Sequence, residues 1–249
     1  MMRVRSIRTL PILAAVVALA LLVSGCDALP FAPSTPLPPN TLAYDAPVSL
    51  DIKAGATLPG TSIAYSGKTA TGAGNILIAQ LAAPKQVGDT VDWEGTPAAN
   101  VSVKLSPRVA TFDEQTIKLV GTGHLEIKNA TIKSGGTPGA VLMEFNAPVS
   151  FSLNKNEAIP GSNVIYIGAT SDGAHFLGVE GYPYRKPLDS LQYVGRVNPK
   201  VFIKLDLRVT SFSDTSVLLV GTANVKIESL LKFIIALRSG SQRFGGLAI

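Results

Sequence analysis

The side chains best suited to contact a ligand lie together in one short segment, which contains Tyr182, Tyr184, Arg185 and Lys186. Two aromatic rings beside two cations, with a proline between the rings, can stack on a sugar or hold a phosphate or a lipid head group. The matching segment of the internal repeat described below, Leu81 to Lys85, has no aromatic residue. These four residues are therefore a candidate ligand-binding site, and an ordinary surface loop is the alternative that we favour.

The sequence contains few of the residues that catalysis and metal binding use. It has two histidines, His124 and His175, and one cysteine, Cys26. There is no Gly-x-Ser-x-Gly motif, and Gly67-Lys68-Thr69 is preceded by Ser62 where a phosphate-binding loop needs its first glycine. We therefore predict no catalytic residues, no metal site and no cofactor. A hydrolase that uses scattered aspartate and glutamate residues is the enzymatic alternative.

The distribution of charge argues against a nucleic-acid partner. The chain has 22 basic and 17 acidic residues, a net charge of +5. Three of the basic residues, Arg3, Arg5 and Arg8, precede an apolar N-terminal run, and without them the net charge is +2. Binding of DNA or RNA needs a basic stripe across a domain. We therefore exclude nucleic acid as a partner.

The N-terminus has the three parts of a secretory signal. The arginines precede an apolar run over residues 10–23, and small residues lead to the cysteine in Val23-Ser24-Gly25-Cys26. This ending resembles the lipobox of bacterial lipoproteins. The resemblance implies that the Cys26 thiol receives a diacylglyceryl group, that residues 1–25 are removed, and that the new amino group is acylated. The apolar run is also shorter than the roughly 20 residues of a membrane-spanning helix.

A proline-rich linker follows, over residues 26–45 including the lipidated cysteine. Such segments adopt an extended conformation of about 3.1 Å per residue. The linker therefore acts as a spacer between the lipid and the folded part of the chain. We expect an extracytoplasmic protein that its lipid anchors to the bacterial cell membrane.

The rest of the chain repeats itself. Ala46-Pro47-Val48-Ser49 returns as Ala147-Pro148-Val149-Ser150, and Val120-Gly121-Thr122 returns as Val220-Gly221-Thr222. The offset is 101 residues at the first motif and 100 at the second. An internal repeat of this length indicates two similar structural units. The repeat defines a first unit over 46–128, a connector over 129–146, a second unit over 147–228 and a tail over 229–249.

The apolar pattern within each unit predicts strands. Val201, Ile203 and Leu205 alternate with Lys204 and Asp206, which is the period of a half-buried strand. Several short strands separated by turns rich in proline and glycine favour a sandwich or a barrel. We therefore predict an all-β protein of two tandem homologous units, each a β-sandwich or a small barrel. The connector allows two adjacent domains, which we favour, or one interlocked sheet system.

Residues that both units share are expected to serve the fold. Aromatic pairs should pack in the core or across strands, aspartates should cap turns, and the shared cations should form cross-strand ion pairs on a solvated face. The pairs are Tyr65 with Tyr166, Trp93 with Tyr193, Phe112 with Phe212, Asp89 with Asp189, Lys104 with Lys204, and Arg108 with Arg208. For the shared cations, binding of an anionic ligand is the alternative.

The tail has a different composition from the units. Its apolar stretch, residues 230–237, adjoins Lys232, Arg238 and Arg243, and the tail has no acidic residue. We expect a final strand that covers exposed core. Docking on a membrane or on a partner is the alternative.

These observations predict a membrane-anchored extracytoplasmic lipoprotein with a non-enzymatic binding or scaffolding role in the cell envelope. Its expected partners are the membrane, through the lipid anchor, and an envelope protein, a glycan or a lipid head group. The main alternative is an accessory subunit of an envelope transport or assembly complex, and a hydrolase is a further one.

Overall fold

The computed structural model describes residues 37–229, which consist of β-strands and their connections. The predicted all-β class is confirmed. The signal segment, Cys26 and the tail from residue 230 onward lie outside the described residues. In residues 37–229 no helix has the length and apolar character that crossing a bilayer requires. The strands are β1 (Leu42–Lys53), β2 (Ile63–Lys68), β3 (Gly74–Ile78), β4 (Leu81–Lys85), β5 (Trp93–Ala98), β6 (Val101–Phe112), β7 (Thr116–Ile127), β8 (Lys133–Ser134), β9 (Val141–Asn154), β10 (Ile165–Thr170), β11 (Gly173–Leu177), β12 (Tyr184–Arg185), β13 (Ser190–Asn198), β14 (Val201–Phe212) and β15 (Ser216–Glu228).

Two large antiparallel sheets hold most of the strands. The first has the order β1-β7-β6-β5, and the second has the order β9-β15-β14-β13 with β8 added beside β13. The registers also agree, because Val101 lies opposite Ile127 in the first sheet and Val201 lies opposite Ile227 in the second. In each sheet the first long strand of the sequence unit therefore pairs with the last one.

Alternate side chains of these strands point into the core, as the apolar pattern predicts. In β14, Val201, Ile203 and Leu205 are buried, whereas Lys204 and Asp206 are exposed. Strand β6 has the same alternation. A shift of one residue in pairing would turn every one of these apolar side chains to solvent. The alternation therefore specifies the register.

The two large sheets share one core. A Cβ atom on Gly123 of β7 would lie 2.9 Å from Phe145 of β9, and one on Gly161 would lie 2.8 Å from the hydroxyl oxygen of Tyr44 in β1. The buried apolar side chains of both sequence units belong to one cluster, and the chain from Pro38 onward forms one compact unit. The favoured arrangement of two adjacent domains is therefore wrong. None of the four sheets in residues 37–229 closes on itself, which excludes the small-barrel alternative.

Each sequence unit also carries a small three-stranded sheet, β2-β3-β4 in the first and β10-β11-β12 in the second. A buried tyrosine fastens each small sheet to a hairpin turn of a large one. The Tyr65 hydroxyl donates to the carbonyl of Asp113, and the Tyr166 hydroxyl donates to the carbonyl of Ser213. Both rings are fully buried, and burial raises the pKa of both phenols. These two aromatic residues are thus core residues, as predicted.

The shared aspartates cap turns, as the sequence predicts. The Asp89 carboxylate accepts a hydrogen bond from the backbone N–H of Gln86 at 2.8 Å, before β5. The Asp189 carboxylate accepts the equivalent bond from the N–H of Lys186 at 2.7 Å, before β13. The same local hydrogen bond therefore fixes both turns.

The shared arginines hold the same two turns. Arg108 donates to the carbonyl of Gly88 at 2.9 Å, and Arg208 donates to the carbonyl of Leu188 at 3.0 Å. The acceptors are backbone carbonyls, so the cross-strand ion pairs predicted for these arginines are wrong. Gly88 has a φ of 94° and Leu188 has a φ of 71°. Leu188 thus adopts the left-handed conformation that Gly88 adopts in the equivalent turn of the first unit.

The chain enters and leaves the two sheets at the same end. The carbonyl of Asn40, just before β1, accepts a hydrogen bond from the N–H of Ala130 at 2.8 Å, and the next residue donates to the carbonyl of Val197 at 2.9 Å. The N–H of Glu228, at the end of β15, donates to the carbonyl of Lys200 at 2.9 Å. Val197 and Lys200 flank the β13–β14 turn. Backbone hydrogen bonds near this turn therefore connect the entry to β1 with the end of β15.

Glu228 also fastens the connector to this end of the sheet. Its carboxylate accepts two hydrogen bonds from Arg196, at 2.8 and 3.0 Å, and one from the N–H of Gly139 at 2.6 Å. The residue is only 9% exposed. Burial alone raises the pKa of this carboxyl group, but the bonds from Arg196 and Gly139 outweigh burial and lower the pKa below its ordinary value.

Candidate functional site

The candidate loop forms one edge of the small sheet β10-β11-β12. Tyr166 and Phe176 lie opposite each other and point into the core, with ring centroids 5.4 Å apart. The neighbouring positions therefore point outward, because side chains alternate along a strand. We call the outward side the aromatic face. It consists of Ile165, His175, Leu177, Tyr182 and Tyr184.

Three rings form a row on this face. His175 lies opposite Tyr184 in the β11–β12 ladder, and their rings stack with centroids 4.8 Å apart. Tyr182 meets Tyr184 edge to face with centroids 5.3 Å apart. Tyr182 is 63% exposed and Leu177 is 49% exposed, while the other members of the face are half-buried. The row is therefore ordered by ring contacts and remains accessible at its Tyr182 end.

The two cations of the candidate loop do not contribute in the way the sequence suggests. The Arg185 guanidinium donates to the carbonyl of Tyr182, to that of Tyr184 at 2.9 Å and to that of Ser190 at 2.9 Å. It therefore ties the loop to the start of β13. A ligand-binding arginine would instead need a free guanidinium. Lys186 is exposed, and its backbone N–H belongs to the Asp189 turn.

The ladders correct the alignment of this loop with the first unit. His175 lies opposite Tyr184, and the equivalent pair in the first small sheet is Asn75 opposite Pro84. Tyr184 therefore matches Pro84, at an offset of 100 residues. The match of Leu81 to Lys85 with residues 182–186, at an offset of 101, is therefore wrong by one residue, because the β10–β11 turn is shorter than the β2–β3 turn and only the pairing shows this.

The first small sheet has a different outward side. In the order of the aromatic face, its positions are occupied by Ala64, Asn75, Leu77, Ala82 and Pro84. Asn75 there donates to the hydroxyl of Ser66 at 2.7 Å, so polar contacts replace the ring stack. The two small sheets have the same strand order but only one has aromatic side chains outward. The framework of the sheet therefore does not require the aromatic face.

His124 and Asp45 form an arrangement of polar side chains that resembles a catalytic pair. Its Nδ1 atom lies 2.7 Å from the Asp45 carboxylate, its neighbour across the β1–β7 ladder. Lys104 lies opposite His124 on the other side, and the outward faces of these strands are solvated. The pair lies on an open sheet face, and both side chains are exposed to solvent.

Two clefts in the described part of the chain lie elsewhere. One, of about 300 Å³, is lined by residues around the β14–β15 turn, among them Ser211, Ser213 and Ser216. The Ser213 hydroxyl there accepts a bond from the N–H of Ser216 at 3.1 Å, so it caps the turn. The other cleft, of about 150 Å³, is mostly apolar and lies between β1 and the start of β9. Neither cleft is lined by the aromatic face.

Sequence reasoning found Tyr182 and Tyr184 but not the strand residues that complete the face. Ile165, His175 and Leu177 join it through the β10–β11 and β11–β12 pairings. In residues 37–229 no group of three or more histidine, cysteine, aspartate or glutamate residues is arranged to hold a metal ion. Compared with known proteins, the chain matches no family model, and no curated protein or solved structure shows significant similarity to it.

Proposed function

We propose that this protein is a lipid-anchored extracytoplasmic lipoprotein with a non-enzymatic role, in which the aromatic face binds a partner protein of the bacterial envelope. The observation that carries the proposal is the difference between the two small sheets. One presents Tyr182, Tyr184, His175 and Leu177 outward, and the other presents small or polar residues at most of the same positions. The shared strand order does not explain this difference, so we expect the aromatic face to serve the function of the protein.

The composition of the face favours a protein over the other expected ligands. Tyrosine is enriched at the energetically dominant positions of protein interfaces. Leu177 and Ile165 extend the rings with aliphatic surface, which suits an apolar side chain better than the hydroxyl groups of a glycan. Arg185 is held by three carbonyls, which leaves the rings without a guanidinium to bind a lipid phosphate. An accessory role in an envelope transport or assembly complex is a narrower form of the same proposal.

Crosslinking in the native envelope tests the binding role. Leu177→Ala and Tyr182→Ala remove exposed side chains, so each should change stability by no more than about 0.5 kcal/mol. We expect both variants to lose the crosslinked partner that the wild type captures. Leu77→Ala, at the equivalent position of the first small sheet, is the matched control and should keep it. Equal capture by all three variants would overturn the role of the face.

The anchor is tested separately at Cys26. Cys26→Ser removes the thiol that would carry the diacylglyceryl group, so the variant should leave the membrane fraction. Mass spectrometry of the wild type should find the lipid on an N-terminal Cys26. A wild-type protein recovered free of membranes, with an unmodified thiol, would overturn the lipoprotein assignment and leave the binding test unaffected.

We further infer that residues 46–128 and 147–228 are homologous copies of one β-sandwich unit. The equal strand orders, the two tyrosine contacts to hairpin turns and the two aspartate-capped turns support this inference. An experimental structure tests it by superposition. The strands β1 to β7 should superimpose on β9 to β15, and different strand positions would contradict a duplication.

A further inference from the structure

The cleft at the β14–β15 turn is lined only by uncharged residues, and most of them carry hydroxyl groups. A row of three residues crosses the sheet there. Ser152 of β9 lies opposite Leu218 of β15, and Leu218 lies opposite Ser211 of β14. Both serines are exposed, and their hydroxyl groups have no hydrogen-bond partner in residues 37–229. These two hydroxyl groups are therefore free to bind a ligand.

The equivalent row of the first unit carries charges. Asp51 lies opposite Lys118, and Lys118 lies opposite Thr111. The ladders therefore match Ser152 with Asp51 and Leu218 with Lys118. Since the same strand arrangement accepts an acid and a base at these positions, the fold does not require the uncharged row of the second unit.

The aromatic ring of the cleft also differs from its counterpart. In the first unit the Lys68 ammonium lies 5.9 Å from the centroid of the Phe112 ring. The small-sheet ladders place Ala169 at the position of Lys68, so the second unit has no cation there. Phe212, which lines the cleft, is half-buried. It therefore has apolar surface left for contact with a ligand.

Two charged side chains beside the turn pair with each other. The Lys155 ammonium donates to both carboxylate oxygens of Asp214, at 2.9 and 3.2 Å. Neither residue lines the cleft. A phosphate or an ammonium group that left water for this cleft would find no counter-charge, and such a transfer is costly. The cleft therefore suits a ligand without charge.

We propose that this cleft binds the ring of an uncharged sugar, which is either a free sugar or the end of a glycan. Such a ring has C–H groups on its faces and hydroxyl groups around its rim. Phe212 and Leu218 offer apolar surface to the C–H groups, and Ser152 and Ser211 can each donate to or accept from the hydroxyl groups. The volume of about 300 Å³ lies at the lower limit of small-molecule pockets, which suits a single ring. The site is separate from the aromatic face.

Saturation-transfer NMR on the full chain, in micelles of a detergent without sugar groups, tests the proposal. The probes are glucose, galactose, mannose and N-acetylglucosamine. At least one of them should receive saturation from the protein, with a Kd of about 1 mM, because a single ring has few atoms. Glucuronate, which is charged, should bind more weakly. No saturation of any neutral probe, or tighter binding of glucuronate, would overturn the proposal.

A double substitution locates the site. Ser152→Asp with Leu218→Lys gives the second unit the acid and base that the first unit already carries, so the variant should fold. We expect the bound sugar to lose its saturation signal. Ser150→Asp with Val220→Lys makes the same kind of change at the next exposed pair of the ladder, outside the cleft, and should keep the signal. Equal signals from both variants and the wild type would overturn the assignment of the cleft.

Two single substitutions separate the cleft from the aromatic face. Ser211→Ala removes one hydroxyl group and should weaken binding of the sugar about two- to tenfold. Tyr182→Ala should leave the Kd unchanged. If Tyr182→Ala removes the signal instead, the sugar binds the aromatic face and the assignment of the cleft is wrong.

An oligosaccharide of the sugar that binds distinguishes the two sources of the ring. An affinity more than about tenfold above that of the single sugar would identify the end of a glycan as the ligand. Equal affinity would identify a free sugar. Both results require that Ser152→Asp with Leu218→Lys removes binding, and an oligosaccharide that binds this variant as tightly as the wild type would overturn the proposal.

Discussion

Replacing Leu188 by glycine should stabilise the protein. Leu188 has a φ of 71°, in the turn where the first unit has Gly88 at 94°. The left-handed conformation costs a residue with a Cβ atom roughly 1–2 kcal/mol. Glycine offsets about 0.5–1 kcal/mol of that gain, because it makes the unfolded chain more flexible. Leu188 is 73% exposed, so the change removes little buried surface. The expected net gain is about 0.5–1 kcal/mol.

Gly88→Leu is the reciprocal change and isolates the backbone effect. A Cβ atom at Gly88 would meet nothing within 4 Å. The variant should therefore lose about as much stability as Leu188→Gly gains, through φ alone. The turns bond to different strands, Gly88 to Val109 of β6 and Leu188 to Val209 of β14, so the two effects should add and the double variant should return to the stability of the wild type.

Urea denaturation and calorimetry measure both changes. For a domain of about 200 residues, 1 kcal/mol corresponds to roughly 2–4 °C in Tm. Leu188→Gly should raise Tm by about that amount, and Gly88→Leu should lower it. A Leu188→Gly variant less stable than the wild type would refute the reasoning, since it would show that the leucine side chain contributes more than its backbone conformation costs.

Three further changes probe buried polar groups. Glu228→Gln should cost about 2–3 kcal/mol at neutral pH, because it removes a buried charge that Arg196 and a backbone N–H stabilise. Folding lowers the pKa of this carboxyl group, so its contribution to the free energy of unfolding is present above the ordinary value of 4.5 and is lost as pH falls below it. Denaturation at pH 7 and pH 3.5 should show that the stability difference between variant and wild type is smaller at the lower pH. Tyr44→Phe should stabilise by about 1 kcal/mol, because the buried hydroxyl has no hydrogen-bond partner among the described residues. Tyr65→Phe should destabilise by about 1–2 kcal/mol, because it removes the donor to Asp113. If the two tyrosine variants change the denaturation midpoint in the same direction, the hydrogen-bond argument fails.

The sequence predicts the parts of the fold that depend on local pattern. The alternation in β14 and the aspartate turns follow from side-chain period and from hydrogen bonds over three residues. A glycine inside a strand pattern indicates a close approach of another backbone, and a Cβ atom on Gly121 would lie 2.5 Å from the Cα atom of Pro107. Each of these features needs only the identity of residues near in sequence.

The features that the sequence did not predict depend on pairings between distant segments. The shared core needs the contact of Phe145 with Gly123, and the aromatic face needs the pairing of His175 with Tyr184. The sequence does not show that Arg185 is held in place, because its acceptors are backbone carbonyls, which every residue has. The lipid on Cys26 and the final strand expected in the tail stay predictions, since both concern residues outside the described range.

The pairing of first strand with last also sets the order in which this chain can fold. Leu42 lies opposite Ile127, and Val141 lies opposite Glu228. As the chain emerges from its N-terminus, Leu42 at the start of β1 has no ladder partner until 85 further residues have appeared, and Lys53 at its end waits for 63. Closing such a long loop is slow, and apolar strands that wait for partners are prone to aggregate. The first sheet can close before β9 exists, but its inner face stays uncovered until the second sheet forms. A newly made chain therefore exposes the apolar inner face of the first sheet until the second unit has been synthesised.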